Sequence, residues 1–585
     1  MKVLIAIAWP YVNGDLHVGH LAGYLLPADI FARFQRLLGR DVLMVSGSDC
    51  YGTPITVQAD KERVTPSEIV EKYHKLDLAL FRQYALSYNL YTKTATANHK
   101  EIAQELFLEL LKNGVIKKGV MQQYYSVEDK KFFPDRYVEG MCPHCKAKDQ
   151  RSDQCEACGR WLEDGELINP ASKLTGSKVV LKDTEHYFLS FKSVGKELEE
   201  FVTARKDEWK KWVWAETQGW LKEGLRDRAI TRDLDWGIDL PIEEIKKFPK
   251  EKQLEDFEGK KIYVWLEAVM GYLSGAIEWS RRVSGDIKDD ISEVIFNKYE
   301  KQSRSWRDFW LNKKAEHYYF MGQDNLVFHT LLWPAMLIGS KRGYTLPKNV
   351  VVNKFMNYEG KKFSKSRNWT IDSKKIAEIY GVDPVRYYMA SNLPENKEAN
   401  FTWDSFISSV NNELVGNLGN FIHRVLTFVE KNFRSEVPEG ELSNEVRFEI
   451  RDTLSDSGEL IQKVRLVEGL SRIMKFVAFA NRYFDKEAVW KVVKDDRKKA
   501  GEILYNCLQI IQALSVLLYP YMPDSSIRLA NMLQIPEAKV ETGKNNWRYR
   551  EIKPGHKIGK IEVIYKKLDP EEVEANKSKL GTKVS

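Results

Sequence analysis

Three short stretches of this 585-residue chain carry side chains that could do chemistry. The first is His17-Val18-Gly19-His20, which follows an apolar run and opens a helical pattern. A helix start presents unpaired N–H groups and partial positive charge, which suits phosphate. Two imidazoles there can donate to phosphate oxygens or to charge developing on phosphorus. Gly19, without a side chain, lets a flat ring such as adenine lie on the backbone. The second stretch is Lys362-Phe363-Ser364-Lys365-Ser366. Its two ammonium groups flank hydroxyls and suit a pyrophosphate whose charge changes as it leaves. The third is the pair Cys142-x-x-Cys145 and Cys155-x-x-Cys158, separated by nine residues. Four thiolates on two turns can close on one tetrahedral zinc, and a closed shell makes that ion structural. His144 is a rival ligand, but four cysteines already saturate the site. Taken singly, the first stretch reads more simply as a capping and a surface histidine, and the second as a solvated basic loop.

The surrounding pattern says what must position these groups. Val3 to Ala8 is a continuous apolar run, as in a strand buried on both faces. A helix is expected from about Gly19 to Leu38, ended by Gly39, and a second strand from Asp41 to Ser46. This βαβ unit implies a parallel sheet with ligands at the carboxyl ends of its strands. Later α/β signals are two expected strands, Ile262 to Leu266 and His317 to Met321, and a helix from Leu326 to Ile338. A further strand, Asn349 to Phe355, leads through a turn at Asn357 to Gly360 into the basic loop. From about Trp403 the pattern is helical, and after about Glu537 it becomes a charged tail whose end, past Lys577, is expected to fray.

The reading is therefore an α/β, split Rossmann-type parallel-sheet catalytic domain with an inserted zinc-knuckle domain, followed by an α-helical bundle. Its divisions are a first catalytic half (1–114), the insertion (115–224), a second catalytic half (225–345), a linking domain carrying the Lys-Ser loop (346–402), the bundle (403–536) and the tail (537–585). Composition fits a globular chain: 43% hydrophobic, 30% charged and a net charge of +7, which permits a nucleic-acid partner without establishing one. Six cysteines are too few for a disulfide scaffold at this length. No membrane segment or leader is expected, and the cytoplasm is the expected compartment.

The two loop motifs together are the double signature of class I aminoacyl-tRNA synthetases. The chain also carries Trp9-Pro10-Tyr11-Val12-Asn13-Gly14, Ser48-Asp49-Cys50-Tyr51-Gly52-Thr53-Pro54, Tyr263-Val264-Trp265-Leu266-Glu267-Ala268 with Gly271-Tyr272, and Gly322-Gln323-Asp324-Asn325 with Phe328-His329 and Trp333-Pro334-Ala335-Met336. On these blocks it resembles the methionyl-tRNA synthetase family from about Lys2 to Asp569. The resemblance implies a ligase that joins L-methionine to the 3′ end of tRNA(Met) by way of methionyl-adenylate, using ATP with magnesium. It implies that His17, Gly19 and His20 bind ATP, that Lys365 with Lys362 holds pyrophosphate, and that Asp324 contacts the ribose. Asp49 would take the amino acid's ammonium, and Tyr11, Trp265, Tyr272, Phe328 and His329 would form the methionine pocket. Aromatic walls suit a thioether, with Tyr11 or His329 giving its sulfur a polar contact. In the bundle, Asn420 and Arg424, one turn apart, with Trp490 as a stacking residue, match positions that read the anticodon.

Three departures from the family pattern sit near the expected pocket: Trp9 for a smaller apolar residue, Val269 for proline, and Cys50-Tyr51 for more polar residues. Where some relatives carry a second metal knuckle, this chain has Ser172 and Thr175, so one zinc is expected rather than two. No appended dimerisation domain is expected after the bundle, which favours a monomer. The rival readings are another class I synthetase for an apolar amino acid, or a non-catalytic RNA-binding paralogue. The insertion is small for the editing domain that the first would need.

Overall fold

The computed structural model describes residues 1–128, 130–133, 137–152, 155, 162, 165–173, 175–288, 305–363, 369–538 and 543–580. Its frame is a five-stranded sheet of β1 (Lys2–Ile7), β2 (Asp41–Ser48), β3 (Leu90–Lys93), β4 (Glu316–Gly322) and β5 (Asn349–Asn353). The order is β5-β4-β1-β2-β3 and every pairing is parallel. The apolar run of β1 explains its central place. Val3, Ile5 and Ile7 enter one core cluster while Leu4 and Ala6 enter the other, so the strand is covered on both sides. Strand order reverses between β1 and β4, and at such a switch point loops diverge and leave a crevice at the carboxyl ends.

Helices close the frame. The segment after β1 is helical from Val18, through a π turn at Leu21–Leu25, into α1 (Leu26–Leu37). The expected strand at Ile262 to Leu266 is corrected: only Lys260–Ile262 is extended, in a small antiparallel sheet with Thr231–Asp233 and Ile238–Asp239. Tyr263 instead caps α2 (Val264–Ser284), a helix buried on most of its circumference. A short unbroken apolar run suits a buried helix as well as a buried strand, and its periodicity cannot separate them. The insertion hangs on an eleven-residue antiparallel ladder between Ile116–Ser126 and Val179–Leu189.

Helix α3 (Val382–Ser391) leads to the bundle, whose main members are α4 (Asn420–Phe433), α5 (Leu466–Glu487) and α6 (Arg497–Leu517). Among the described residues α6 is the one helix long and apolar enough to cross a membrane, but it is the buried core of the bundle. Up to Leu580 the charged tail does not trail into solvent, and the rest of the stretch expected to fray past Lys577 lies outside the described residues. Trp547 packs edge-on against Phe34 of α1, Asn546 N–H donates to Leu37 O, and Leu580 is fully buried with its carbonyl accepting from Asp372 N–H. A few large apolar residues spaced along a polar segment are enough to strap it to the core.

The join between frame and bundle is made by one buried cation. Arg386 of α3 is fully buried and donates to Asp29 of α1 (2.8 Å), Tyr84 O (2.9 Å), Tyr521 O (2.8 Å) and Pro520 O (3.2 Å). Asp29 also accepts from Arg33 and from the Ser87 N–H and hydroxyl, and these cations hold its carboxyl down at about 2 against the cost of burial. Arg386→Met removes one of the two cations on Asp29 and the guanidinium donor of three carbonyls. Loss of one partner from a buried pair costs about 3–5 kcal/mol, so the variant is expected to unfold at clearly lower urea, read by fluorescence.

Candidate functional site

The histidine pair sits where β1 ends. His17 caps the helix: its Nδ1 accepts from Gly19 N–H (3.2 Å), and its own N–H donates to His20 Nδ1 (3.1 Å). With both Nδ1 atoms accepting, the ring proton of each lies on Nε2. The two rings are 3.9 Å apart. The lysine loop comes to the same place. Phe363 stacks on His17 at 4.6 Å and 12°, and His17 forms a backbone bridge to Asp372 beyond the loop. Both ends of the loop are thus held against the histidine turn. Lys362 is exposed at the loop's start, while Lys365 lies outside the described residues. A Cβ on Gly19 would fall 2.9 Å from the His17 ring and 3.2 Å from Phe363, so this position has no room for a side chain. Asp324, on the turn after β4, is exposed at the sheet's carboxyl edge.

Beside this lies an aromatic recess. Trp265 Nε1 donates to the Tyr11 hydroxyl (2.7 Å), and its ring meets Phe328 at 5.2 Å. Tyr11 also bridges to Asp49, whose N–H donates to Pro10 O at 2.9 Å. Tyr272 and His329 are buried behind and share a 2.7 Å hydrogen bond. His329 Nδ1 faces Asn325 O at 2.8 Å, so it donates there and Nε2 accepts from Tyr272. Burial pushes His329 down to about 4, which keeps it neutral at physiological pH. In this arrangement His329 has no N–H left for a sulfur atom, so of the two expected partners the geometry favours Tyr11.

The recess has an acidic floor. Asp49 is 4% exposed and Glu267 fully buried, and burial raises both carboxyls well above the usual carboxylate range. Trp9 fills a slot in the wall, where Cβ atoms on Gly47 and Gly271 would come within 2.5 and 2.7 Å of its indole. Cys50 turns away into a separate cluster with Val12, Ile55 and Val70, while Tyr51 leans on Trp236 at 5.2 Å. Val269 is buried in the core of α2. Of the three departures, Trp9 is therefore the one seated in the wall of the recess.

Two further groupings are separate. The Cys142, Cys145 and Cys155 sulfurs lie within 4.8 Å of one another, with Cys145 and Cys155 3.5 Å apart. Zinc–sulfur bonds of about 2.3 Å in a tetrahedron give sulfur–sulfur edges near 3.8 Å, so the donor set fits a metal. Cys158 lies outside the described residues. Ser172 Oγ accepts from Thr175 N–H, and the Thr175 hydroxyl bonds Ser177. In the bundle, Arg424 lies over Trp490 (5.4 Å) and pairs with Asp485 (3.0 Å), and Asn420 is exposed one turn away.

Sequence reading missed Phe363, His99 and Glu267 as site residues. Phe363 and Glu267 fall inside quoted motifs, but nothing in their spacing marks a role; His99 carries no signal at all. Trp9 tests the slot. Gly271→Ala drives a Cβ into the indole and is expected to cost about 1–3 kcal/mol by overpacking. Trp9→Leu added to it should recover part of that loss in urea unfolding.

The comparisons with known proteins agree with this geometry. The family described as tRNA synthetases class I (M) matches residues 3–426, and the anticodon binding domain of methionyl tRNA ligase matches residues 437–585. The chain is 38% identical to the methionine–tRNA ligase of Roseiflexus castenholzii, covering 100% of this chain and 99% of that one. It is 37% identical to that of Pyrococcus furiosus, covering 98% of this chain and 76% of that one. In fold it is similar to Mycobacterium tuberculosis methionyl-tRNA synthetase in complex with methionyl-adenylate, with a TM-score of 0.74 at 23% identity, over 96% of this chain and 99% of that one. A histidine turn clasped to a lysine loop, an aromatic recess with an acidic floor and these matches along the whole length lead to one conclusion: the chain belongs to the methionyl branch of the class I aminoacyl-tRNA synthetases.

Proposed function

We infer that the chain is a methionine–tRNA ligase that activates L-methionine with ATP and passes it to the 3′ end of tRNA(Met). In the first step a methionine carboxylate oxygen attacks the ATP α-phosphorus and pyrophosphate leaves. In the second the terminal ribose hydroxyl attacks the acyl carbon and AMP leaves. No covalent enzyme intermediate is required, because positioning and charge stabilisation carry such transfers. His17 and His20 donate Nε2–H to the phosphates, Gly19 admits the adenine ring and Asp324 takes the ribose hydroxyls. Lys362 and Lys365 neutralise the departing pyrophosphate. Asp49 receives the ammonium, and Tyr11, Trp265, Tyr272, Phe328 and His329 surround the thioether. Asn420, Arg424 and Trp490 read the anticodon by edge hydrogen bonds and stacking. Magnesium accompanies ATP and neutralises phosphate charge. One zinc is held by Cys142, Cys145, Cys155 and Cys158, as a structural ion. The enzyme works as a cytoplasmic monomer.

The observation that carries this reading is the Phe363–His17 stack, which joins two motifs almost 350 positions apart in sequence. ATP–pyrophosphate exchange with each of the twenty amino acids tests it. Methionine is expected to give the strongest exchange, and the His20→Ala, Lys365→Ala double variant to lose it while keeping most tRNA binding. Strongest exchange with another apolar amino acid would transfer the assignment to that substrate. Elemental analysis is expected to find one zinc per chain. Cys145→Ser should lower that content and the protease resistance of residues 116–189, while leaving exchange largely intact because the ion is remote from the adenylation chemistry.

A further inference from the structure

Two buried oxygens beside the aromatic recess have no hydrogen-bond partner among the described residues: Oδ1 of Asp49 and Oε1 of Glu267. Both side chains are more than nine-tenths buried. An unpaired buried acceptor is costly, and in a native site it calls for an occupant. The elements around them converge. Asp49 follows β2 and bridges Tyr11; Trp265, which bonds Tyr11, lies two residues before Glu267 on α2. One turn after Glu267, Gly271 carries the Trp9 indole, whose Nε1 is also buried without a partner. Burial raises both carboxyls well above the usual carboxylate range, and each disfavours a charge on the other.

The back of Glu267 is fixed by a chain of hydrogen bonds. The Ser274 hydroxyl donates to Gly271 O (3.3 Å), His99 Nδ1 lies 2.7 Å from that hydroxyl, and His99 Nε2 lies 2.7 Å from Glu267 Oε2. In the tautomer that keeps the serine's bond to Gly271 O, His99 Nδ1–H donates to the hydroxyl. Burial drives His99 down to about 3, so the ring is neutral, and in that tautomer Nε2 is an acceptor. The proton between His99 and Glu267 therefore sits on Oε2. Glu267 is a neutral acid that spends its O–H on His99 and turns its carbonyl oxygen, Oε1, elsewhere.

We propose that Glu267 is a second binding residue for the amino acid's α-ammonium, accepting one N–H at Oε1 beside Asp49, which ionises as the positive charge arrives, with His99 as the positioning residue that keeps Glu267 neutral and aimed. The inference rests on the reading of Asp49 as the ammonium's counter-ion. The division of labour has a physical reason. One charged and one neutral acceptor satisfy two of the three ammonium protons while leaving one net carboxylate to match one positive charge, and two ionised acids side by side would repel. The buried serine, histidine and glutamate are thus a prop for an acceptor rather than a proton relay.

The test uses the full-length enzyme in ATP–pyrophosphate exchange. Glu267→Ala is expected to raise KM for methionine by about tenfold or more, the loss of a hydrogen bond to a charged group, with KM for ATP changed less than about twofold. Glu267→Gln keeps the carbonyl oxygen and gives His99 an N–H, so its KM for methionine should fall well below that of the alanine variant. Should the alanine variant melt before assay temperature, Glu267→Leu, which fills the space with carbon, carries the same expectation. Inhibition by methioninol, which bears the ammonium, should weaken in step with KM, while inhibition by the same thioether alcohol without its amine should not change. An equal loss for both alcohols, an unchanged KM in the alanine and leucine variants, or a glutamine variant as poor as alanine would overturn the proposal. Asp49→Asn is run alongside. If it raises KM while Glu267→Ala does not, only this inference falls; if neither does, the assignment of the ammonium to this floor falls with it.

Discussion

Arg386 is the contact on which the arrangement of this molecule depends. Its guanidinium is sealed from water and shared among α1, the turn after residue 83 and the last turns of the bundle core. Burying a cation is unfavourable unless every donor is met, and the geometry meets it with one carboxylate and three carbonyls. Because Asp29 is on α1, the helix that continues from the histidine turn, the same contact sets the histidines relative to the bundle. The tail adds a second tie: Trp547 lies against Phe34 on α1, and Leu580 reaches back to Asp372, which pairs with His17. The histidine turn is therefore held from behind by residues more than 300 positions away.

The two parts of the site differ in how they are satisfied. The phosphate side is preorganised by backbone and ring contacts. His17 and His20 cap their own helix, which fixes their tautomers, and Phe363 stacks on the exposed face of His17. The aromatic side is left incomplete, with Asp49, Glu267 and Trp9 each holding a buried polar atom that has no partner among the described residues. Such groups lower stability in the free protein and are tolerated where a ligand completes them. Around that gap the wall is rigid. Trp9 is wedged between Gly47 and Gly271, and Tyr272 and His329 satisfy each other. Fixed aromatic walls of this kind suit a flexible thioether side chain.

The legible part of the fold was the part written in local pattern. The apolar run of β1 and the glycine after α1 announced a βαβ unit, and the parallel sheet follows them. The helical period after Trp403 announced the bundle. The reading failed at Val264 to Leu266, where an apolar run buried on both faces is a helix rather than a strand, and in the tail, where composition concealed Trp547 and Leu580 as anchors. In the site, the histidine turn and the cysteine spacing were readable because one motif supplies all the chemistry. Glu267 was not: its role comes from His99 and Ser274, 168 residues before and seven residues after it.

By itself the sequence determined the elements, the family and the types of group available: imidazoles for phosphate, ammoniums for pyrophosphate, thiolates for a metal and aromatics for a thioether. Tertiary structure decided which of them meet and in what protonation state. A ring nitrogen or carboxyl takes its proton according to the partners and burial it finds, and those are set by chain segments that sequence distance keeps apart. His329 is neutral because burial disfavours its charged form, with Tyr272 and Asn325 O on its two nitrogens, and burial likewise raises the Glu267 carboxyl, which faces His99.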